Sequence, residues 1–388
     1  MRPLAESTLT ASLAATLLVS CGGSQTAISA PGAMPQSRAI ATATDRGESW
    51  MSRNDDTSIL KKLTKVVVIG TTVDPTNGDN SARAVSVVPT TSGELKKGQL
   101  LLCNFDDKDG KAGKGTTMDT FDPKPGSKAA TFAQSGEIEG CDADTVAPED
   151  SVLAAGATSQ LLVGIGANGE VAQSGLHVGL PFAVVSAVQP DSRYSPQNIY
   201  VSDAKTGSII SFSINEYGNP KPLQIATGFA INHKPGWGRL GPSGLQYDAK
   251  KDALYIADGS TNTVVEFTNA LHLDVKDGII VEPGGRTFKC KDPSSACGKL
   301  IYAGKPLNAP VAMTMLPNGN LIVANTAGAR ANTLVEIDTA NGKVLDTKVL
   351  DKKKTAGIFG LVATGTNDGN TALFFTDTKS NTLRELEQ

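Results

Sequence analysis

The chain has 388 residues, more than one average domain, and its 36 basic side chains nearly balance 39 acidic ones. That balance implies no basic face of the kind a phosphate backbone requires, so no nucleic-acid partner is expected. Forty glycines and twenty prolines with 5% aromatic residues suit many short strands joined by tight turns, and repeat-built all-β folds of this length form one unit.

The first segment carries Arg2 as a weak positive start, partly offset by Glu6, and then an apolar and small-residue stretch from Leu9 to Val19. That stretch is too short to span a bilayer as a mature helix. It ends in Leu18-Val19-Ser20-Cys21, which resembles a bacterial lipoprotein lipobox. The resemblance implies a signal peptide over residues 1–20, a fatty acyl group such as palmitate on the Cys21 thiol, cleavage before Cys21, and acylation of the new amine. The alternative is an ordinary signal peptide with a chance cysteine. Several acyl chains hold a protein stably on a membrane without a spanning segment. Gly22 rather than Asp follows the cysteine, which in a bacterium with two membranes favours the outer one, with the protein facing the periplasm. Residues 21–60 are rich in Ser, Ala, Thr, Gly and Pro without periodicity, and read as a lipidated cysteine on a flexible tether.

Residues 61–388 read as strands. A small residue in a brief apolar run, a gap, and a second apolar run ending in Asn or Asp recur five times. The small positions are Ala84, Ala183, Gly244, Ala312 and Gly360; the polar ends are Asn104, Asp203, Asp258, Asn325 and Asp377. The interval from Asn104 to Asp203 is nearly double the others, which predicts a degenerate copy in Leu153-Ala154-Ala155 and Gln160-Leu161-Leu162-Val163-Gly164, with Ile165 in the polar position. Six units of about fifty residues, four antiparallel strands each, are propeller blades. The small residue suits the innermost strand, where blades crowd the axis. After Thr382–Leu386 the sixth copy lacks an outermost strand, and Thr64–Gly70 is a spare one. Pairing the two closes the ring and covers an open edge. The expectation is an all-β, six-bladed β-propeller.

The copies GPSGLQYDAKKDALYIADGSTNTVVEF and APVAMTMLPNGNLIVANTAGARANTLVEID resemble NHL repeats, and the span from about 64 to 388 is similar to bacterial propellers of the NHL and SMP-30-like group, among them exported proteins of unassigned function. The resemblance implies a fold, since propellers host many activities. SMP-30-like enzymes and lactonases hold a channel metal with Glu, Asn and Asp from the ends of inner strands. Here the residues before the small positions are Arg83, Leu153, Phe182, Ser243, Val311 and Phe359. None is a carboxylate or an amide, which argues against metal-dependent lactone hydrolysis and for no cofactor, with ligands one or two positions away left open. Amidating-lyase-type propellers need several histidines; this chain has His177, His233 and His272.

Without Cys21, four cysteines remain, an even number that in an exported chain suggests disulfides. Cys290 and Cys297 flank a turn-rich Lys-Asp-Pro-Ser-Ser-Ala that could close a small loop, leaving Cys103 and Cys141 as partners. Three pairings are possible. A zinc site is the rival, but there is no Cys-x-x-Cys and no histidine nearby in sequence.

The recurrent Asn and Asp residues could form a ring of oxygen ligands. Each sits where a strand enters a turn, so locking that turn's backbone amides is the expected role. His177 comes four residues before Pro181 and His233 nine before Pro242, which predicts both in connections on one face of adjacent blades. With Lys234, Trp237 and Arg239, His233 would form a patch at the channel mouth for an anionic or sugar-like ligand; the alternative is an ordered loop. The whole reads as a lipid-anchored cell-envelope module, monomeric, that binds or scaffolds a protein, peptide or glycan on the face built by residues 177–181, 229–241, 304–309 and 351–357. An envelope hydrolase or lyase with His177 or His233 as base is the second reading.

Overall fold

The computed structural model describes residues 57–147, 151–173, 175–187, 197–214, 221–234, 238–326, 331–351 and 357–388. Cys21, the signal peptide and nearly all of the tether lie outside the described residues.

Six antiparallel sheets follow one another along the chain. From the inner strand outward, blade 1 is Asn80–Val87, Leu100–Asp106, Thr117–Phe121 and Ala130–Gln134. Blade 2 is Cys141–Val146, Val152–Gly156, Leu161–Ile165 and Leu176–His177. Blade 3 is Pro181–Ala187, Gln197–Asp203, Ser208–Ile214 and Pro222–Thr227; blade 4 is Pro242–Asp248, Ala253–Asp258, Thr263–Thr268 and Gly298–Ala303. Blade 5 is Pro310–Met315, Leu321–Asn325, Thr333–Ile337 and Val344–Val349. Blade 6 is Ile358–Thr364, Ala372–Asp377 and Thr382–Glu387, completed on its outer edge by Lys65–Thr71 near the start of the described chain. Each inner strand touches the inner strands of both neighbouring blades, so the six close a ring. The fold is a six-bladed β-propeller, and the N-terminal strand closes it as the sequence predicts.

Middle strands are covered on both faces by neighbouring blades, so their residues are buried without alternation. Ala253–Asp258, Leu321–Asn325 and Thr333–Ile337 are buried throughout, as expected for strands sandwiched on both sides. The outer strand Val344–Val349 is at most half-buried. Ahead of the closing strand, a single helical turn, Ile59–Lys62, sinks Ile59, Leu60 and Leu63 between blades 5 and 6.

The register corrects the sequence reading of blade 2. In five blades the polar strand end faces the residue two before the small position: Ala82 opposite Asn104, Pro181 opposite Asp203, Pro242 opposite Asp258, Pro310 opposite Asn325, and Ile358 opposite Asp377. In blade 2 the equivalent pair is Cys141 and Gly156. Leu153-Ala154-Ala155 is thus the second strand, and the inner strand is Cys141-Asp142-Ala143-Asp144-Thr145-Val146. Ala143 is the small residue, Asp142 precedes it in place of Leu153, and Gly156 rather than Ile165 holds the polar position. An apolar run marks an inner strand in the other blades; two acids disguise this one.

Both disulfides of the favoured pairing are present. Cys103–Cys141 ties the second strand of blade 1 to the inner strand of blade 2, with Cα atoms 5.2 Å apart. Cys290–Cys297, at 5.4 Å, closes an insertion that leaves blade 4 after Thr268 and adds Ile279–Val281 and Phe288–Cys290 to the edge of blade 3.

Candidate functional site

All six inner strands carry a β-bulge at the same level. The ladder slips between Ala82 and Ala84, Cys141 and Ala143, Pro181 and Ala183, Pro242 and Leu245, Pro310 and Ala312, and Ile358 and Leu361. A bulge releases one residue from pairing and re-aims its side chain. The released residues are Arg83, Asp142, Phe182, Ser243, Val311 and Phe359, and all but Ser243 line one cavity of about 90 Å³ enclosed by the six inner strands. Ser243 turns away and donates to the Gly241 carbonyl at 2.9 Å.

The next level is the ring of small residues, Ala84, Ala143, Ala183, Gly244, Ala312 and Gly360, all lining the cavity. Crowding explains the two glycines. A Cβ on Gly244 would come within 2.9 Å of the Met313 amide nitrogen, and one on Gly360 within 2.9 Å of the Ala84 carbonyl carbon, both on the next blade.

One level deeper, the positions facing the second strand two residues before its end are Val85, Asp144, Val184, Leu245, Met313 and Leu361. All line the cavity. Five are aliphatic and one is an acid. Asp144 is 8% exposed and neither of its carboxyl oxygens has a hydrogen-bond partner. Burial pushes its carboxyl up to about 7; the nearby Ser86 hydroxyl pulls weakly the other way without reaching hydrogen-bonding geometry. An unbonded buried carboxyl is costly, so it marks a place where a partner is missing.

At the mouth, Arg83 is clamped. Its Cζ lies 3.4 Å from the ring centroid of Phe105 and 4.6 Å from that of Phe359, so the guanidinium contacts two aromatic faces. Its Nη1 stands 3.4 Å from Asp142 Oδ1. Burial raises the Asp142 carboxyl to about 6, with Arg83 drawing it down and Asp106 adding to the rise. Arg83 and Asp142 neutralise each other, which leaves Asp144 as the unmatched ionisable group among the residues lining the cavity.

A second buried polar group lies within blade 1. Asn104 Nδ2 donates to Asp119 Oδ2 at 2.7 Å, while Asn104 Oδ1 and Asp119 Oδ1 are unbonded. Burial and the neighbouring Asp74 raise the Asp119 carboxyl to about 8. Asp74 is the ionised partner: burial works against its charge, but the neighbouring Asp119 carboxyl, a hydrogen bond from Thr131 and those from the amides of Asn77 and Thr76 lower its pKa.

The other recurrent polar residues lock turns and loops. Asp203 Oδ1 accepts from the amides of Lys205 and Leu180, both at 2.8 Å, and Oδ2 from Thr206 Oγ1 at 2.7 Å. Asp258 repeats this with the Ser260 amide at 2.8 Å and Thr261 Oγ1 at 2.6 Å. Asp377 accepts from the Lys379 amide at 3.0 Å, and Asn325 from the Asn308 amide at 2.8 Å. Among the described residues, no three His, Cys, Asp or Glu side chains are placed to hold a metal ion.

The residues expected to form a patch fall at several places. His177 is exposed on the two-residue outer strand of blade 2, paired with Leu161, and does not line the cavity. His233 and Lys234 lie on one arm of a hairpin between blades 3 and 4, and Arg239 on the other, with His233 opposite Arg239. Their side chains, and Trp237 altogether, lie outside the described residues, as do residues 352–356.

No protein-family description and no curated protein matches this chain. Solved structures do. A streptogramin B lyase is 11% identical over 84% of this chain and 87% of its own, with a TM-score of 0.46. A virginiamycin B lyase from Staphylococcus aureus is 12% identical over 84% and 99%, at 0.43. A luciferin-regenerating enzyme is 11% identical over 80% and 92%, at 0.49. At such scores the likeness carries nothing about activity, and the blade count rests on the strand pairing above.

Proposed function

We propose that this chain is a cell-envelope propeller, held on a membrane through acyl groups on Cys21, that binds a small ligand at the mouth of its central cavity. The observation that supports binding is the six-fold bulge, which gathers Phe182, Phe359 and Val311 with the Arg83–Asp142 pair around one opening. Ligand sites combine apolar walls with a few fixed polar groups, and Arg83 is already held by Phe105 and Phe359. A hydrolase or lyase would need a nucleophile, base or metal converging within hydrogen-bonding reach of one another. The lining offers one neutralised ion pair and one isolated acid, which favours the binder. The anchor rests on Leu18-Val19-Ser20-Cys21 and the tether that follows.

Thermal-shift measurements on the purified chain against alkylamines, short carboxylates, monosaccharides and aromatic acids test the binding reading. At least one class should raise the unfolding midpoint of the parent and fail to raise that of Phe182→Ala. A flat response across the panel overturns the reading, and so does conversion of a bound compound to product seen by mass spectrometry. The anchor is tested by metabolic labelling with radioactive palmitate in a bacterial host, which Cys21→Ala should abolish; label retained by that variant would overturn it.

A further inference from the structure

We propose that Asp144 is the receptor for a primary ammonium group, so that the ligand of the central cavity is a slender alkylammonium whose stem leaves through the mouth past Phe182 and Phe359. The inference deepens the binding reading above and rests on it. Four observations carry it.

The first is position. Asp144 occupies one of six equivalent places, and the other five are Val85, Val184, Leu245, Met313 and Leu361. An apolar ring broken by one acid gives a stem its walls and a head group its anchor. The second is the count of orphan acceptors. Both Asp144 oxygens and the Ser86 hydroxyl are buried without a partner, and Ser86 stands close enough to influence the Asp144 carboxyl. A primary ammonium has three N–H donors, one for each of these three oxygens.

The third is charge. Arg83 and Asp142 cancel at the mouth, so the ionised cavity carries one net negative charge, and a monocation makes it neutral. Burying an unpaired carboxylate costs far more than burying a hydrogen-bonded pair. The fourth is what the site lacks for other cations. A hard divalent ion takes six to eight oxygen ligands, and no triad of candidate ligands is assembled among the described residues. A quaternary ammonium needs an open aromatic cage, whereas Arg83 already covers Phe105 and Phe359.

The charged groups lining the cavity around Asp144 are Arg83 from blade 1 and Asp142 from its own strand, and the Ser86 hydroxyl stands near the Asp144 carboxyl. Asp144 must be ionised to pair with a cation, so affinity should follow its titration. An alkylammonium stays protonated throughout the range used.

Titration calorimetry with n-butylammonium chloride tests the proposal on the full chain, with n-butanol and tetramethylammonium as controls. Butylammonium should bind at pH 8 and bind about tenfold more weakly at pH 6, where a carboxyl titrating near 7 is mostly protonated. Neither control should bind, and Asp144→Asn should abolish the heat. Ser86→Ala should weaken binding severalfold. Equal binding of butanol, an affinity independent of pH in the parent, or no butylammonium heat at pH 8 would each overturn it; the parent's pH dependence decides the matter even if Asp144→Asn folds poorly. A panel in which another class binds through Phe182 while butylammonium does not would remove this inference and leave the binding reading standing.

Discussion

Glu336 Oε2 accepts a hydrogen bond from Ser58 Oγ at 2.6 Å, across 278 residues of chain. The same carboxylate accepts from the amides of Leu60 at 2.8 Å and Ile59 at 3.3 Å and from Asn320 Nδ2 at 2.9 Å. It is fully buried in the third strand of blade 5, so the one helical turn ahead of the closing strand is docked on a satisfied internal charge. Glu336→Ala leaves those donors without a partner and should cost about 2–4 kcal/mol. Glu336→Gln, which keeps the shape and one acceptor, should cost less. Urea unfolding of the two variants checks the order, and a Gln variant as damaged as the Ala variant would refute it.

Ring closure makes a larger demand on the same segment. Ile59, Leu60, Leu63 and Ile69 are fully buried, and each such side chain contributes roughly 1.5–3 kcal/mol by burial. Their sum is comparable with the whole stability of a domain. Deleting residues 57–71 also bares the edge strand Thr382–Glu387, a template for aggregation. The truncated chain should therefore fail to give a cooperative thermal transition, whereas removing residues 22–50 should leave the midpoint unchanged.

The blade count, the ring closure and the disulfide pairing were legible in the sequence because each rests on a repeated local rule: a small residue at the axis, a polar strand end, an even set of cysteines. The site was legible only in part. Arg83, Phe182 and Phe359 stand out as the residues before the small positions, but Asp142 and Asp144 do not, because the other inner strands are apolar runs and this one carries two acids. The usable signal was Ala143 flanked by two acids just after Cys141. Phe105 reaches Arg83 from the end of a second strand, a contact that no spacing reveals. Chain order places His177 in a connection before an inner strand, and order does not distinguish the rim of a blade, where His177 sits, from the axis.

The two disulfides should differ in weight and in access. Cys103–Cys141 closes a separation of 38 residues and both cysteines are fully buried; Cys290–Cys297 closes 7 on a partly exposed turn. Loop entropy assigns about 4 kcal/mol to the first and about 2 kcal/mol to the second. Paired Cys→Ser variants should lose stability in that order. Under mild reductant, mass spectrometry should find Cys290 and Cys297 alkylated well before Cys103 and Cys141, and simultaneous alkylation would contradict the burial difference.

The buried acids set the sign of the pH dependence. Asp119, Asp144 and Asp142 are raised to about 8, 7 and 6, against an ordinary value of about 3.9 in the unfolded chain. Between pH 4 and 8 the folded protein thus holds protons that the unfolded chain has released, and stability falls as pH rises, by up to about 1.4 kcal/mol per pH unit for each group titrating. Asp74 acts in the opposite sense: its lowered pKa adds stability that is lost as pH drops below 4. The thermal midpoint should therefore peak near pH 4–5 and decline towards pH 8, unlike the usual domain, whose optimum lies higher. Asp144→Asn supplies a permanent neutral group and should remove its share of the decline between about pH 4 and 7, while leaving the Asp119 portion, which runs on to about pH 8, in place. A midpoint that rises from pH 5 to pH 8 would show that these carboxyls are ionised in the folded state.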